Sequence, residues 1–186
     1  MSENKRIGDW SLTFTGRQIW PLDPRPEDFC IEDVAHHLSL INRFTGATRY
    51  PYSVAQHSVN VAVNLPSRLQ LEGLMHDAAE YALGDMGRPL KYSTNEYRPI
   101  ESKWWRMIAG IYGFNPEEIN PEVKWMDNIM LVTERRDLMT RVGPRWAIQE
   151  HFQPLEDFII MPWPAERAEL EFLQLHEALL AWRGVH

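Results

Sequence analysis

The chain has 186 residues, 44% of them hydrophobic and 24% charged, with a formal net charge of -7 at neutral pH. That size and composition describe one ordinary globular domain, and the negative summed field disfavours a polyanionic nucleic-acid track, leaving small anions held by local Arg and Lys side chains. Cys30 is the only cysteine, which excludes an intrachain disulfide and agrees with a reducing cytoplasm. Residues 1–10 carry charges and no apolar signal region, and no stretch approaches the roughly 18 apolar residues of a membrane span, so a soluble cytoplasmic protein is expected.

In chain order, residues 7–29 contain Gly16, Pro21, Pro24 and Pro26 around β-type residues at 12–15, which predicts an arm with one short strand or hairpin. From Ile31 the pattern turns helical. Asp33 is a candidate cap, Val34, Leu38 and Ile41 recur at helical spacing through Arg43, and Gly46 is the expected stop. A second helix begins at a Ser53 cap and carries His57 until Leu65-Pro66, and a third runs from Pro66 or Ser67 to about Leu83. Gly84 and Gly87 open a loop. Residues 97–112, 121–140 and 164–182 read as three further helices, the last with apolar Leu170, Leu173 and Leu180. Between them, residues 143–163 carry Pro144, Pro154, Pro162 and two tryptophans and predict a long surface connection. The expectation is a mainly α single domain over 1–186: an arm (1–29), a helical core (31–140), and a C-terminal connection and helix (141–186).

The run Gly73-Leu-Met-His76-Asp77-Ala-Ala-Glu80 places two adjacent metal-ligand side chains in an apolar helix. Upstream lies His57 in Ser53-Val-Ala-Gln-His57-Ser58, and downstream Asp127 in Val123-Lys-Trp-Met-Asp127-Asn128. Two imidazoles and two carboxylates suit one divalent cation such as Zn, Co, Mn, Fe or Mg, with positions left for water and a phosphate oxygen. On a continuous helix His76 and Glu80 project together and Asp77 sits about 100° round. Glu80 then lies near the ion and can hold an attacking water or its proton, Asp85 can supply a second acid/base carboxylate, and Lys91 or Arg88 can address a phosphate. This pattern points to phosphoester or phosphoanhydride hydrolysis.

These motifs resemble the HD-domain metal-dependent phosphohydrolases, in particular the small 5'-deoxynucleotidase-like branch of bacteria and phages. The resemblance runs from Ser53-Val-Ala-Gln-His57-Ser58 through His76-Asp77-Ala-Ala-Glu80 and Gly84-Asp85-x-x-x-Pro89-x-Lys91 to the Asp127 helix and Thr133-Glu134-Arg135-Arg136-Asp137. It implies an all-α helical bundle, His57, His76, Asp77 and Asp127 as metal ligands, and Glu80 and Asp85 as the proton-handling pair. Leu40-Ile-Asn-Arg43-Phe44 is similar to the segment in which an arginine grips the nucleotide phosphate and the next aromatic packs on the nucleoside. A viral branch that removes triphosphate from dATP is similar in size and motif order and adds Pro89 to the candidate substrate contacts. The arm around residues 15–21 and the short stretch between His57 and His76 depart from the pattern.

Other readings weigh against individual residues. Arg43 could equally pair with a carboxylate at the helix end, and a planar guanidinium suits either partner. His36 and His37 precede the motif and read as structural, while His151, His176 and His186 read as surface residues. Residues 133–136 read on composition as a solvated or intersubunit helix face. Trp104, Trp105, Trp125, Trp146, Trp163 and Trp182 read as core and interface anchors, so a homo-oligomer is expected. The favoured reaction is removal of 5'-phosphate from a deoxynucleoside monophosphate. The alternatives are release of triphosphate from a deoxynucleoside triphosphate, dATP foremost, with Arg49, Arg88 and Arg98 as further phosphate contacts, and a catalytically silent nucleotide sensor or scaffold. Neither a nucleic acid nor a membrane is an expected partner.

Overall fold

The computed structural model describes residues 5–140 and 143–185; His186 and the first four residues, on which parts of the sequence reading fall, lie outside the described residues. The fold is all-α with a short β arm. Strands β1 (Ser11–Leu12) and β2 (Gln18–Ile19) pair antiparallel, Ser11 opposite Ile19, and eight α-helices follow among the described residues. These are α1 (Ile31–Leu40), α2 (Val54–Val63), α3 (Ser67–Met75), α4 (Glu80–Leu83), α5 (Arg88–Ser93), α6 (Tyr97–Tyr112), α7 (Pro121–Leu138) and α8 (Ala165–Val185). No helix among the described residues is long and apolar enough to cross a membrane.

Helix α2 is the axis. Every residue from Val54 to Ala62 is buried, because α1, α3, α7 and α8 all pack around it. Its apolar residues feed two clusters: Val54, Ala55, Val59 and Ala62 join Leu38, Leu74, Trp104, Ile108 and Phe172 on one side, and Val61 joins Tyr52, Leu69, Val123 and Met130 on the other. Ser53 caps the helix as expected, its hydroxyl accepting from the Gln56 amide at 3.2 Å. Where α3 crosses α2 the residue is Gly73; a Cβ there would stand 3.3 Å from the Ala62 Cα, so the two helices approach backbone to backbone.

Four local expectations are corrected. Asp33 does not cap α1: Cys30 stands at the cap, and Asp33, fully buried one turn inside, accepts from the Thr15 amide (2.7 Å) and hydroxyl (2.9 Å), fastening the arm. Helix α1 ends at Leu40 instead of Gly46, because residues 41–43 turn extended and pair with 52–54, Arg43 N–H donating to Tyr52 O at 2.9 Å. Arg43–Gly46 then forms a separate tight turn with Phe44 (φ 57°) and Thr45 (φ 51°) in the left-handed region. The helix expected to run to Leu83 breaks after Met75. Residues 76–82 bond mainly i to i-3, with Ala78, Glu80, Tyr81 and Ala82 amides donating to Met75, Asp77, Ala78 and Ala79 carbonyls, which winds the chain tighter than an α-helix. Finally, α5 forms inside the expected loop after Gly84 and Gly87, with Pro89 in its first turn where a missing N–H costs nothing.

The long connection 143–163 is tied down along its length. Gln56 donates to Met161 O and accepts from Trp163 N–H, both at 2.8 Å. Asp137 accepts from the Ile160 amide, and Thr133 Oγ1 accepts from the Leu155 amide. Among the expected anchors, Trp104 and Trp105 are buried, whereas Trp125 is exposed against Phe152. His37 is structural, as expected: Nε2 accepts from Phe14 N–H and Nδ1 donates to Tyr81 O. His176 is corrected from surface to buried; its Nε2 accepts from Tyr112 OH at 2.8 Å.

Candidate metal centre

Three segments deliver the candidate ligands to one place. His57 projects from mid-α2, His76 and Asp77 from the tight turn after α3, and Asp127 from the second turn of α7. One donor atom each from His57, His76 and Asp127 lies within 4.8 Å of the others. The Nε2 atoms of His57 and His76 are 3.3 Å apart, Asp127 Oδ1 is 3.3 Å from His57 Nε2, and Asp77 Oδ2 is 3.2 Å from His76 Nε2 and 3.5 Å from His57 Nε2.

Both histidines are committed at the far side of the ring. His76 Nδ1 lies 2.7 Å from Gly73 O, which can only accept, so Nδ1 carries a proton. His57 Nδ1 lies 2.5 Å from Glu134 Oε1. Neutral rings in this arrangement present bare Nε2 lone pairs to each other and to two carboxylates, a donor set that repels itself until a cation stands among its atoms. The electrostatics show the same crowding relieved by a proton. Burial and Arg43 press the His57 imidazole toward neutrality, yet Glu134 and the Asp127 bond win and raise it to about 9, so without a cation the ring keeps a proton that a bound cation would displace. Burial raises Asp127, but His57 and His76 outweigh it and hold that carboxyl at about 2. The residues therefore fit one divalent cation.

Glu80 is buried and its Oε2 has no hydrogen-bond partner. Burial first, then the charges of Asp77 and Asp85, push its carboxyl well above the usual carboxylate range. Asp85, half-buried in the loop after α4, is raised by burial and by Asp77 against the pull of Arg43. Two carboxyls raised by burial beside two held low by their histidine partners is the asymmetry that acid/base work requires.

The substrate candidates are brought near but are mostly paired. Arg43 is buried. Its Nε and NH2 lie 3.3 Å and 3.2 Å from Glu134 Oε2, and NH1 lies 3.5 Å from Asp77 Oδ2, so it adopts the carboxylate-paired alternative. Phe44 stands beside it, tilted 6.1 Å from Trp146. Arg88 donates to Asp127 Oδ2 at 2.9 Å, and Lys91 pairs with Glu101, so neither is an unengaged phosphate contact. Pro89 is exposed in the first turn of α5.

Sequence reasoning missed Glu134. Residues 133–136 are not a solvated face: Thr133 and Glu134 are fully buried, and the flanking charges hold the 143–163 connection. Glu134 accepts from Tyr52 OH at 2.9 Å, from His57 Nδ1 and from Arg43. Burial raises its carboxyl, but Arg43 and His57 prevail and keep it ionised. A signal existed: Glu134 follows Asp127 by seven positions, two helical turns, and so shares its face.

An all-helical domain with a buried centre of two imidazoles and converging carboxylates is the class that fold and site define. No protein-family model matches the chain. It is 39% identical over 150 residues to YfdR, an uncharacterized protein of Escherichia coli K12, covering 81% of this chain and 84% of YfdR. It is also 43% identical over 91 residues to an uncharacterized protein of Rhodobacter capsulatus, covering 44% of this chain and 46% of that protein. The chain belongs to the family of YfdR.

Proposed function

We propose that this protein is a metal-dependent phosphohydrolase of the HD-domain type that removes the 5'-phosphate from deoxynucleoside monophosphates. The observation that carries the reading is the convergence of His57, His76 and Asp127 within 4.8 Å, with Asp77 against both rings and a buried Glu80 whose carboxyl is raised by burial and by Asp77. His57, His76, Asp77 and Asp127 would hold the cation. When bound, a divalent cation supplies positive charge against the phosphoryl oxygens and acidifies a water molecule.

The chain's own groups take the remaining roles. Arg43 NH1, whose contact with Asp77 is long at 3.5 Å, is the donor available to a phosphate oxygen, while Nε and NH2 stay on Glu134. Glu80 and Asp85, both raised above the usual carboxylate range by burial and by neighbouring carboxylates, are the pair that would protonate the leaving oxygen and orient the nucleophilic water. Phe44, next to Arg43 and facing Trp146, offers an aromatic wall for the nucleoside. Arg88 and Lys91 reach phosphate only by leaving Asp127 and Glu101.

The test is mass-spectrometric product analysis of the metal-loaded protein on matched panels of deoxynucleoside mono- and triphosphates, with Asp77→Ala as the blank. Inorganic phosphate plus nucleoside from monophosphates is the expected result. Intact triphosphate plus nucleoside would move the protein to triphosphohydrolysis. Turnover no greater than the blank on both panels would sink the hydrolase and leave a nucleotide sensor.

A further inference from the structure

Glu134 belongs to no part of the reaction set out above, yet it is the most heavily bonded carboxylate near the centre. It is fully buried on α7. Its two oxygens face opposite ways with separate duties. Oε1 takes Tyr52 OH (2.9 Å) and His57 Nδ1 (2.5 Å); Oε2 takes the Arg43 guanidinium (3.2 Å to NH2). Tyr52 OH in turn accepts from Asn60 Nδ2 at 3.0 Å, so the carboxylate is fixed from behind by α2 itself.

We propose that Glu134 is the positioning residue of the metal centre: Oε1 holds His57 in the tautomer that leaves Nε2 bare toward His76, and Oε2 anchors Arg43 so that its NH1 reaches Asp77. This rests on the metal reading of His57, His76 and Asp127. The physical basis is that an imidazole can offer Nε2 to a cation only if its proton is kept at Nδ1, and an acceptor behind the ring decides which nitrogen carries it. His76 uses a main-chain carbonyl for this purpose, Gly73 O. His57 uses Glu134, and that choice links ligand orientation on one side of the carboxylate to the guanidinium on the other. A carboxylate has two accepting ends and an amide only one. Arg43 can only donate, whereas Tyr52 OH and an imidazole nitrogen can also accept, so glutamine at 134 keeps its carbonyl on Arg43 and turns its NH2 toward His57 and Tyr52, and His57 loses the acceptor behind its ring.

The experiment compares wild type, Glu134→Gln and Tyr52→Phe by calorimetric titration with Co²⁺ alone, and by nitrogen-15 NMR of the histidine rings in protein loaded with diamagnetic Zn²⁺, with thermal melts to confirm folding. Tyr52→Phe removes a donor from the same oxygen without touching the His57 bond, so it controls for general damage to the buried cluster. Expected for Glu134→Gln is about 10- to 100-fold weaker Co²⁺ binding and loss of the single Nδ1–H signature of His57, with Tyr52→Phe within about threefold of wild type on the same scale. Equal weakening by both variants, or a Glu134→Gln variant that binds like wild type and keeps the His57 signature, would overturn the positioning role. Should Glu134→Gln fail to fold, Glu134→Asp is read instead; its shorter reach to His57 gives the same weakening if the role holds and wild-type binding if it does not. Wild type that binds no Co²⁺ overturns the metal reading and the positioning role with it, an outcome distinct from equal binding by all variants.

Discussion

The Nε2 atoms of His57 and His76 face each other at 3.3 Å, and each ring is tied at Nδ1 to an acceptor behind it, Glu134 for one and Gly73 O for the other. A pair of imidazoles so held has room between its lone pairs for one positive centre, a shared proton or a metal ion. A ligand that binds only the folded state stabilises it by about 2.7 kcal/mol at a hundredfold excess over Kd. For a chain of this size that is a rise in Tm of roughly 5–10 °C. Differential scanning calorimetry with Co²⁺ or Mn²⁺ against chelator should show that shift in wild type and none in His76→Ala.

Glu80 opposes folding once it ionises. Its folded carboxyl lies well above the ordinary 4.5, because of burial and then Asp77, so the stability it allows is fully present below about pH 4.5 and is lost as pH rises toward the folded value. Glutamine does not ionise. In chelated protein, Glu80→Gln should match wild type near pH 4 and exceed it by about 1 kcal/mol, or about 2–4 °C in Tm, at pH 7. The same substitution should lower phosphate release by about 100-fold or more. Equal melting temperatures at pH 7 would count against the buried, proton-holding carboxyl.

His176 acts in the opposite direction. Burial lowers its imidazole below 6.5, and Tyr112 OH, itself pushed up by burial, keeps its proton and donates to Nε2. The stability from neutral His176 is present above pH 6.5 and is lost as pH falls through the depressed folded value. Urea denaturation at intervals from about pH 7.5 down to 5 should give a slope that His176→Gln flattens, since its amide carbonyl still accepts from Tyr112 and carries no charge.

Thr45 is an exposed, β-branched residue at φ 51°, a conformation costing L side chains about 1–2 kcal/mol. Thr45→Gly removes that strain at the expense of some unfolded-state entropy, for a net gain near 0.5–1 kcal/mol by chemical denaturation. The strained turn begins at Arg43, so the substitution should also loosen the guanidinium's hold on Asp77 and raise KM more than it lowers kcat.

The architecture was readable where local chemistry dictates it. The Ser53 cap, Pro121 opening α7, and the apolar spacing of α6 and α8 all sit within a few residues of where composition places them. The order His57, His76-Asp77, Asp127 likewise predicted a convergence that the packing of α3 and α7 on α2 delivers. The change of winding after Met75 was not readable, because i to i-3 and i to i-4 bonding use the same residues and differ only in pitch. Glu134 was hidden for a related reason. A Glu beside two arginines has the composition of a wet helix face, and only the tertiary fold, by placing Tyr52 and His57 against it, makes it dry.

Gly73 carries no side chain and touches no candidate ligand atom through one, yet it governs the gap between His57 and His76. With α3 resting on the main chain of α2 at Ala62, the opening between the two rings is that of a calliper closed to its stop. A methyl group at residue 73 would meet Leu65 Cδ1 at 2.4 Å and the Ala62 Cα at 3.3 Å, so the leucine would have to turn aside and the helices to part slightly. For any ion seated between those imidazoles, the spacing of its two ring ligands thus depends in part on a hydrogen atom one turn before His76.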